Sequence, residues 1–282
     1  MPLMAAVVTV RGFASSGFVV NVFSGAVAQS VVLALLNEPG LHDVRPKPFT
    51  VWPLVVNGRV VWNRALAPAG AAVELRAAFF DGGLAEVFME RVMEAGRFRL
   101  FNAEVAVGEV EVRRVAPAAG SSSKFKVEFL SPTRFETPPY VKRRVPVFDM
   151  APSPRNLFKS AVKTAMRLGL VDLRWARKFF RWAIASVGVL DFGCRCETHR
   201  GRDQRSYVGK CTAAAELSGG RRLRGFVGWA VYRAFETSMV GDMWRMLSVA
   251  EAFGVGSNRS RGLVPSGSRH YSKALYGIHR RT

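Results

Sequence analysis

The chain has four histidines, and one of them stands where a proton carrier could work. His42 lies in "EPGLHDVRPKPFT", a stretch whose prolines and glycine favour a loop over a helix or strand. Imidazole is the side chain whose charge changes nearest neutrality, so a histidine on such a loop is a candidate general acid or base. Lys47 follows five residues on. An ammonium there could hold a phosphate or offset charge developing on one. The competing reading is a loop histidine with no chemical role.

A second constellation comes late in the chain, in "FGVGSNRSRG". Gly254, Gly256 and Gly262 frame Ser257, Asn258, Arg259 and Arg261. Glycines let backbone amides approach an anion, and the hydroxyl, amide and guanidinium groups between them are suitable donors to phosphate. The stretch lacks the Gly-Lys-Ser/Thr ending of a P-loop, and it follows a helical pattern instead of a first strand. Both departures argue against a mononucleotide cradle or a dinucleotide fold. No carboxylate pair suggests two-metal phosphate chemistry, and no Gly-x-Ser-x-Gly elbow is present. Cys194, Cys196, His199 and Cys211 are spaced unlike any common structural zinc pattern. The reading is therefore free thiols on a loop, in a reducing intracellular setting, with no metal and no cofactor.

Charge says more about the partner. There are 41 Lys+Arg against 21 Asp+Glu in 282 residues, a net charge of +20. A fold does not need that imbalance, whereas a polyanion such as RNA or DNA would exploit it. An anionic membrane surface or a generally basic proteome are the rivals. The helical pattern at 153–169 sets Arg155, Lys159, Lys163 and Arg167 four residues apart, so they form one slanting ridge. "DLRWARKFFRWA" then puts Arg174, Arg177, Lys178 and Arg181 on one face and Trp175, Phe179 and Trp182 on another. Two consecutive basic ridges with little acid to offset them favour a surface that tracks phosphates. Solvated helix faces, or a membrane-surface helix for the second ridge, are the other readings.

These residues need elements to hold them. "MAAVVTVR" reads as a strand, and Ser24 as the N-cap of a helix through about Leu36. The uncharged run between Arg11 and Glu38 is long enough to span a bilayer, but Asn21, Ser24, Gln29 and Ser30 interrupt it. It reads as a strand end, a turn and a buried helix, with no membrane partner. Asn57-Gly58 between apolar runs is a type I′ hairpin signal. A strand at "AAVELRAAFF", a helix at "GLAEVFMERVMEAG" and a closing strand or hairpin through Val115 complete a β-α-β-β-α-β order, the ferredoxin-like unit. "APAAGSSSK" is the linker, after which strand, helix, strand and helix come round again.

The expected fold is thus α+β: two tandem ferredoxin-like (RRM-like) domains with antiparallel sheets. Residues 1–117 form the N-terminal domain with the His42 loop. Residues 124–264 form the second, with 170–223 as an insertion and the glycine-rich loop near its end. Residues 265–282 read as a divergent or vector-derived tail, because "LVPSGS" is close to a protease-site linker.

Taken together these pieces resemble the CRISPR repeat-processing endoribonucleases, within the RAMP superfamily of CRISPR-associated proteins. The core of the match is Gly-x-Gly-x5-Gly at Gly254, Gly256 and Gly262. "FSGAVAQSVVLALL" is similar to the family's first helix, and "LHDVRPKPFTVWPL" to its histidine loop and following K-x-F-T strand. "FLSPTRF" and "GFVGWAVY" are similar to strands of its second domain. The resemblance implies cleavage of precursor CRISPR RNA inside each repeat without metal, leaving a 2′,3′-cyclic phosphate and a 5′-OH. It implies His42 as general acid or base and Lys47 as stabiliser of the phosphorane. It implies RNA contact by Gly254, Gly256, Ser257, Asn258, Arg259, Arg261 and Gly262. The ridge of Arg155, Lys159 and Lys163 would join them. Some members carry a catalytic tyrosine on the first helix, and residues 24–37 have none. The implied partner is CRISPR repeat RNA in the cytoplasm. Association as a homodimer or with effector-complex subunits stays open. The alternative is a non-catalytic RNA-binding subunit of an effector complex.

Overall fold

The computed structural model describes residues 5–62, 64–137, 147–194, 211–257 and 265–270. The apolar, β-branched opening segment becomes β1 (Ala6–Ala14), the centre of the first sheet. After β2 (Phe18–Val20) comes α1 (Ser24–Leu36), then the short strands β3 (Phe49–Val51), β4 (Val55–Val56), β5 (Arg59–Val60) and β6 (Ala65–Ala67). Next are β7 (Ala72–Phe79), α2 (Gly82–Ala95), β8 (Arg97–Leu100) and β9 (Ala103–Arg114). The sheet runs β5-β4-β7-β1-β9-β8, with β3 also on β7. Its pairings are antiparallel. That order is the ferredoxin-like path expected from the sequence.

Local chemistry sets the element ends. Asn57 and Gly58 take φ of 48° and 73°, the two left-handed residues a type I′ hairpin needs. Asp81 caps α2 by accepting from Gly83 N at 3.0 Å. Ser24 is not the cap of α1, since that position falls to Phe23. The Ser24 hydroxyl instead donates to Val61 O at 2.5 Å and accepts from Leu54 N at 3.2 Å, stitching the helix start to the loop around the β4–β5 hairpin. The helices cover one face of the sheet, where Val8, Val10, Leu33, Leu75, Phe79 and Phe88 form the core. Val7 and Ala78, on opposite-facing positions of β1 and β7, join the core of the second half.

The second half comprises β10 (Lys124–Thr133), β11 (Phe135–Glu136), β12 (Phe148–Asp149), α3 (Pro154–Arg167), α4 (Leu173–Ser186), β13 (Val187–Cys194), β14 (Thr212–Glu216), β15 (Arg222–Ala234), α5 (Val240–Phe253) and β16 (Pro265–His270). Its sheet runs β13-β15-β10-β16, the same order as in the first half. Ser153 caps α3, accepting from Asn156 N at 3.2 Å, and Pro154 opens it. Phe125, Phe158, Phe179, Tyr232 and Trp244 pack at the centre of this core.

Three expectations change here. The segment 170–223 is not an insertion into the fold, because it supplies β13, the strand that the second ferredoxin-like unit lacks on a sequence reading. The stretch 265–270 is not a bare tail, because β16 pairs antiparallel with β10 and stands where the last strand belongs; residues 271–282 lie outside the described residues. Cys194 and Cys211 are not free thiols but a disulfide, with Cα atoms 4.5 Å apart. β13 and β14 both pair with β15, which brings the two cysteines together across 17 positions of sequence. Cys196 and His199 lie outside the described residues.

Glycine is required where β15 passes β13. Gly228 sits at φ 147°, and a Cβ there would lie 2.0 Å from Gly193 O.

Candidate RNA-processing site

The loop between α1 and β3 is wound around a lysine. Asn37 ends α1 in the left-handed conformation, at φ 49°. Beyond it His42 is exposed, while Lys47 is only 6% exposed. Lys47 Nζ donates to His42 O at 2.7 Å and, in a still closer contact, to Leu41 O. Arg45 Nη1 donates to His42 O at 2.6 Å and to Val44 O at 2.8 Å. An ammonium surrounded by carbonyls of its own loop fixes the backbone on which the imidazole is carried. Lys47 thus meets His42 through the histidine's backbone carbonyl and not side chain to side chain.

α3 reaches this loop from the second half. Arg167, its last residue, donates from Nη2 to Lys47 O at 2.8 Å and to Pro46 O at 3.4 Å. Its guanidinium lies 3.9 Å from the centroid of the Phe80 ring. Desolvation at that contact lowers the Arg167 pKa from its usual value. Phe80 in turn packs against Phe253, with ring centroids 4.5 Å apart, and Phe253 is the last residue of α5 before the glycine-rich loop.

The same helix holds that loop. Gly254 and Gly256 adopt φ of 73° and 93°. Gly256 N donates to Ser160 Oγ on α3 at 3.0 Å. Ser257 N donates to Arg134 O at 2.8 Å, and Gly254 N to Ala250 O at 2.8 Å. A Cβ at Gly256 would lie 2.8 Å from Arg134 O. So these glycines answer a conformational need, and the three amides already have acceptors inside the protein. The reading of these amides as phosphate donors does not fit that geometry. Asn258, Arg259, Arg261 and Gly262 lie outside the described residues. Ser160 and Arg167 are seven residues apart, roughly 10 Å along a helix. One helix thus anchors both the histidine loop and the start of the glycine-rich loop.

The basic residues of the two helices differ in exposure. Arg155 and Lys163 are exposed and Lys159 is half-buried on α3. On α4, Arg174, Arg177, Lys178 and Arg181 are exposed, while Phe179 and Trp182 are buried. Trp175 stacks on Phe179 with centroids 5.1 Å apart. Sequence reasoning missed Ser160 and the anchoring role of Arg167. Arg167 was visible as a member of the ridge, but nothing in the spacing separates a phosphate ligand from a loop anchor. Among the described residues no group of three His, Cys, Asp or Glu side chains is placed to hold a metal ion. Among the same residues no helix is long and apolar enough to cross a membrane.

The site thus sits on two ferredoxin-like units in tandem, with Gly254 and Gly256 directly after α5. Comparison with known proteins narrows this. Residues 127–263, just under half of the chain, match the family model of the CRISPR-associated endoribonuclease Cas6. A product complex of Thermus thermophilus Cas6 is 19% identical with a TM-score of 0.69, covering 94% of this chain and 99% of that one. A Cas6-related protein from Pyrococcus furiosus is 8% identical with a TM-score of 0.59, covering 95% and 100%. A structure described as a RAMP protein binding different RNA substrates is 13% identical with a TM-score of 0.57, covering 94% and 100%. No curated protein matches the sequence significantly. In sequence over its second half, and in fold over nearly its whole length, the chain resembles the CRISPR repeat-processing endoribonucleases of the RAMP superfamily.

Proposed function

We propose that this chain cleaves precursor CRISPR RNA within its repeats by internal transesterification. One observation carries the reading: in a Cas6-like fold, an exposed histidine rides on a loop whose backbone is fixed by a buried lysine and by an arginine of the neighbouring helix. The 2′-hydroxyl of the nucleotide before the scissile bond attacks the adjacent phosphorus. The O2′–P bond forms and the P–O5′ bond breaks, leaving a 2′,3′-cyclic phosphate and a 5′-OH. The 2′-OH must lose a proton and the departing O5′ must gain one, and His42 serves one of these transfers. The nucleophile belongs to the substrate, so the reaction does not require a metal-activated water. α1 carries no tyrosine, so the tyrosine that some family members place there has no counterpart on this helix.

Lys47 contributes by holding the loop that carries His42, its ammonium donating to Leu41 O and His42 O. The cations of α3 and α4 supply phosphate contacts, with Arg155, Lys159 and Lys163 nearest in sequence to the anchors Ser160 and Arg167. Ser257, Asn258, Arg259 and Arg261 are the further RNA contacts that the resemblance implies, as donors to phosphate. The partner is CRISPR repeat RNA, met in the cytoplasm.

The experiment is incubation of a repeat-containing RNA with the full chain in excess EDTA, followed by end analysis. Cleavage at one site within each repeat, with a cyclic-phosphate end, is the expected result. Tight binding with intact RNA would instead assign the chain to the non-catalytic RNA-binding subunits of effector complexes. A requirement for added metal would remove the mechanism.

A further inference from the structure

We infer that Arg167 is a positioning residue for cleavage, coupling the RNA-facing ridge of α3 to the loop that carries His42. This inference rests on the nuclease reading for its effect on rate, though not for its effect on the loop. Arg167 continues the four-residue spacing of Arg155, Lys159 and Lys163, and by spacing alone it belongs to a phosphate-binding surface. The geometry gives it another task. Its Nη2 donates to Lys47 O at 2.8 Å and to Pro46 O at 3.4 Å, so it grips the backbone at the exit of the loop. Lys47 Nζ donates to His42 O at 2.7 Å. Two consecutive polar contacts thus connect the C-terminal end of α3 to the catalytic histidine's own peptide.

The arginine is itself oriented. Its guanidinium packs over Phe80 at 3.9 Å, and the Phe80 ring packs over Phe253 at 4.5 Å. With its guanidinium carbon held over the ring, Arg167 directs Nη2 to two carbonyls of the loop. Phe253 immediately precedes Gly254, and Ser160 on α3 holds Gly256. Any shift of α3 on binding phosphates is therefore transmitted to the histidine loop and shared with the glycine-rich loop. Proton transfer needs the imbalance of distance at the reacting atoms to be small, and misplacement of about 1 Å costs roughly a hundredfold in rate.

The experiment compares the full chain with its Arg167→Ala and Arg167→Lys variants, by two readouts. The first is amide hydrogen exchange over residues 38–48 without RNA. The second is single-turnover cleavage of repeat RNA, with affinity measured separately on RNA bearing a 2′-deoxy scissile nucleotide. Arg167→Ala should exchange faster in this loop, with the sheets protected as before. It should cleave roughly tenfold to a hundredfold more slowly, with affinity changed less than about threefold. Guanidinium ion added to Arg167→Ala should restore part of the rate, and Arg167→Lys should fall between the two, because an ammonium cannot grip two carbonyls in the same plane. Unchanged loop exchange, or faster exchange throughout the protein, would overturn the positioning role. So would a loss of affinity equal to the loss of rate, which marks a plain phosphate contact. If the parent chain cleaves nothing, the nuclease reading fails, while the exchange comparison still decides whether Arg167 holds the loop.

Discussion

Replacing His42 with alanine should reduce cleavage of repeat RNA about a hundredfold to ten-thousandfold, the range typical of a lost general acid or base. Affinity for the same RNA should hardly move. The side chain is exposed, and it is the peptide carbonyl of His42, not its ring, that takes part in the loop's hydrogen bonds to Lys47 and Arg45. Truncation at Cβ leaves those bonds in place, so the loop should keep its shape. Single-turnover rates and filter-binding affinities on the same preparations separate the two effects. A His42→Ala chain that cleaves as fast as its parent would remove this residue from the chemistry. One that loses rate and affinity together would make it a binding residue.

Lys47→Ala should produce the second large effect, and through a different route. Lys47 is buried, and its ammonium donates to Leu41 O and His42 O. Removing it takes the lysine donor from Leu41 O, leaves His42 O to Arg45 alone, and opens a space where three methylenes were. An unsatisfied buried polar group costs about 1–3 kcal/mol, and the lost packing adds to that. Stability in denaturant should fall by about 2 kcal/mol or more, and cleavage by roughly a hundredfold. Lys47→Met separates the contributions, since it keeps a buried stem of similar length and removes the ammonium with its charge and its donors. If Lys47 acts mainly through the loop, Lys47→Met should be nearly as loose over residues 38–48 as Lys47→Ala. A Lys47→Met chain with a parent-like loop and abolished cleavage would show that the charge acts directly on the phosphate.

Much of the scaffold was legible because local signals and long-range pairing agreed. α1 spans the residues expected from its apolar run, although its cap is Phe23 and not Ser24. Asn57-Gly58 forms the hairpin its residues demand. What escaped is instructive. β13 follows α4 directly, without a glycine or proline between them, and it lies at a sheet edge where Val189, Leu190 and Phe192 are exposed. No alternation of apolar and polar residues marks it as a strand, and pairing with β15 is what defines it. β16 likewise owes its form to backbone pairing with β10, which no composition rule foresees.

The site divides the same way. Type and spacing marked His42, Lys47 and the glycines as candidates, and the family resemblance supplied the roles expected of them. Their geometry was not legible, because it depends on contacts between distant parts of the chain. Ser160 meets Gly256 across 96 positions, and Arg167 meets Lys47 across 120. Spacing suggested that Lys47 faces a phosphate and that Gly254 and Gly256 offer their amides to one. Folding instead turns the lysine into its own loop and gives both amides acceptors within the protein.

The most direct test is a single atomic change in the substrate. A repeat RNA carrying 2′-deoxyribose at the one nucleotide before the cleavage site keeps every phosphate that the basic surface can grip, and it lacks only the attacking oxygen. The full chain should bind it as tightly as unmodified RNA and leave it uncut, while cutting the unmodified RNA to a 2′,3′-cyclic phosphate. Cleavage of the deoxy-substituted RNA at the same bond would show that water is the nucleophile and would contradict internal transesterification at the His42 loop.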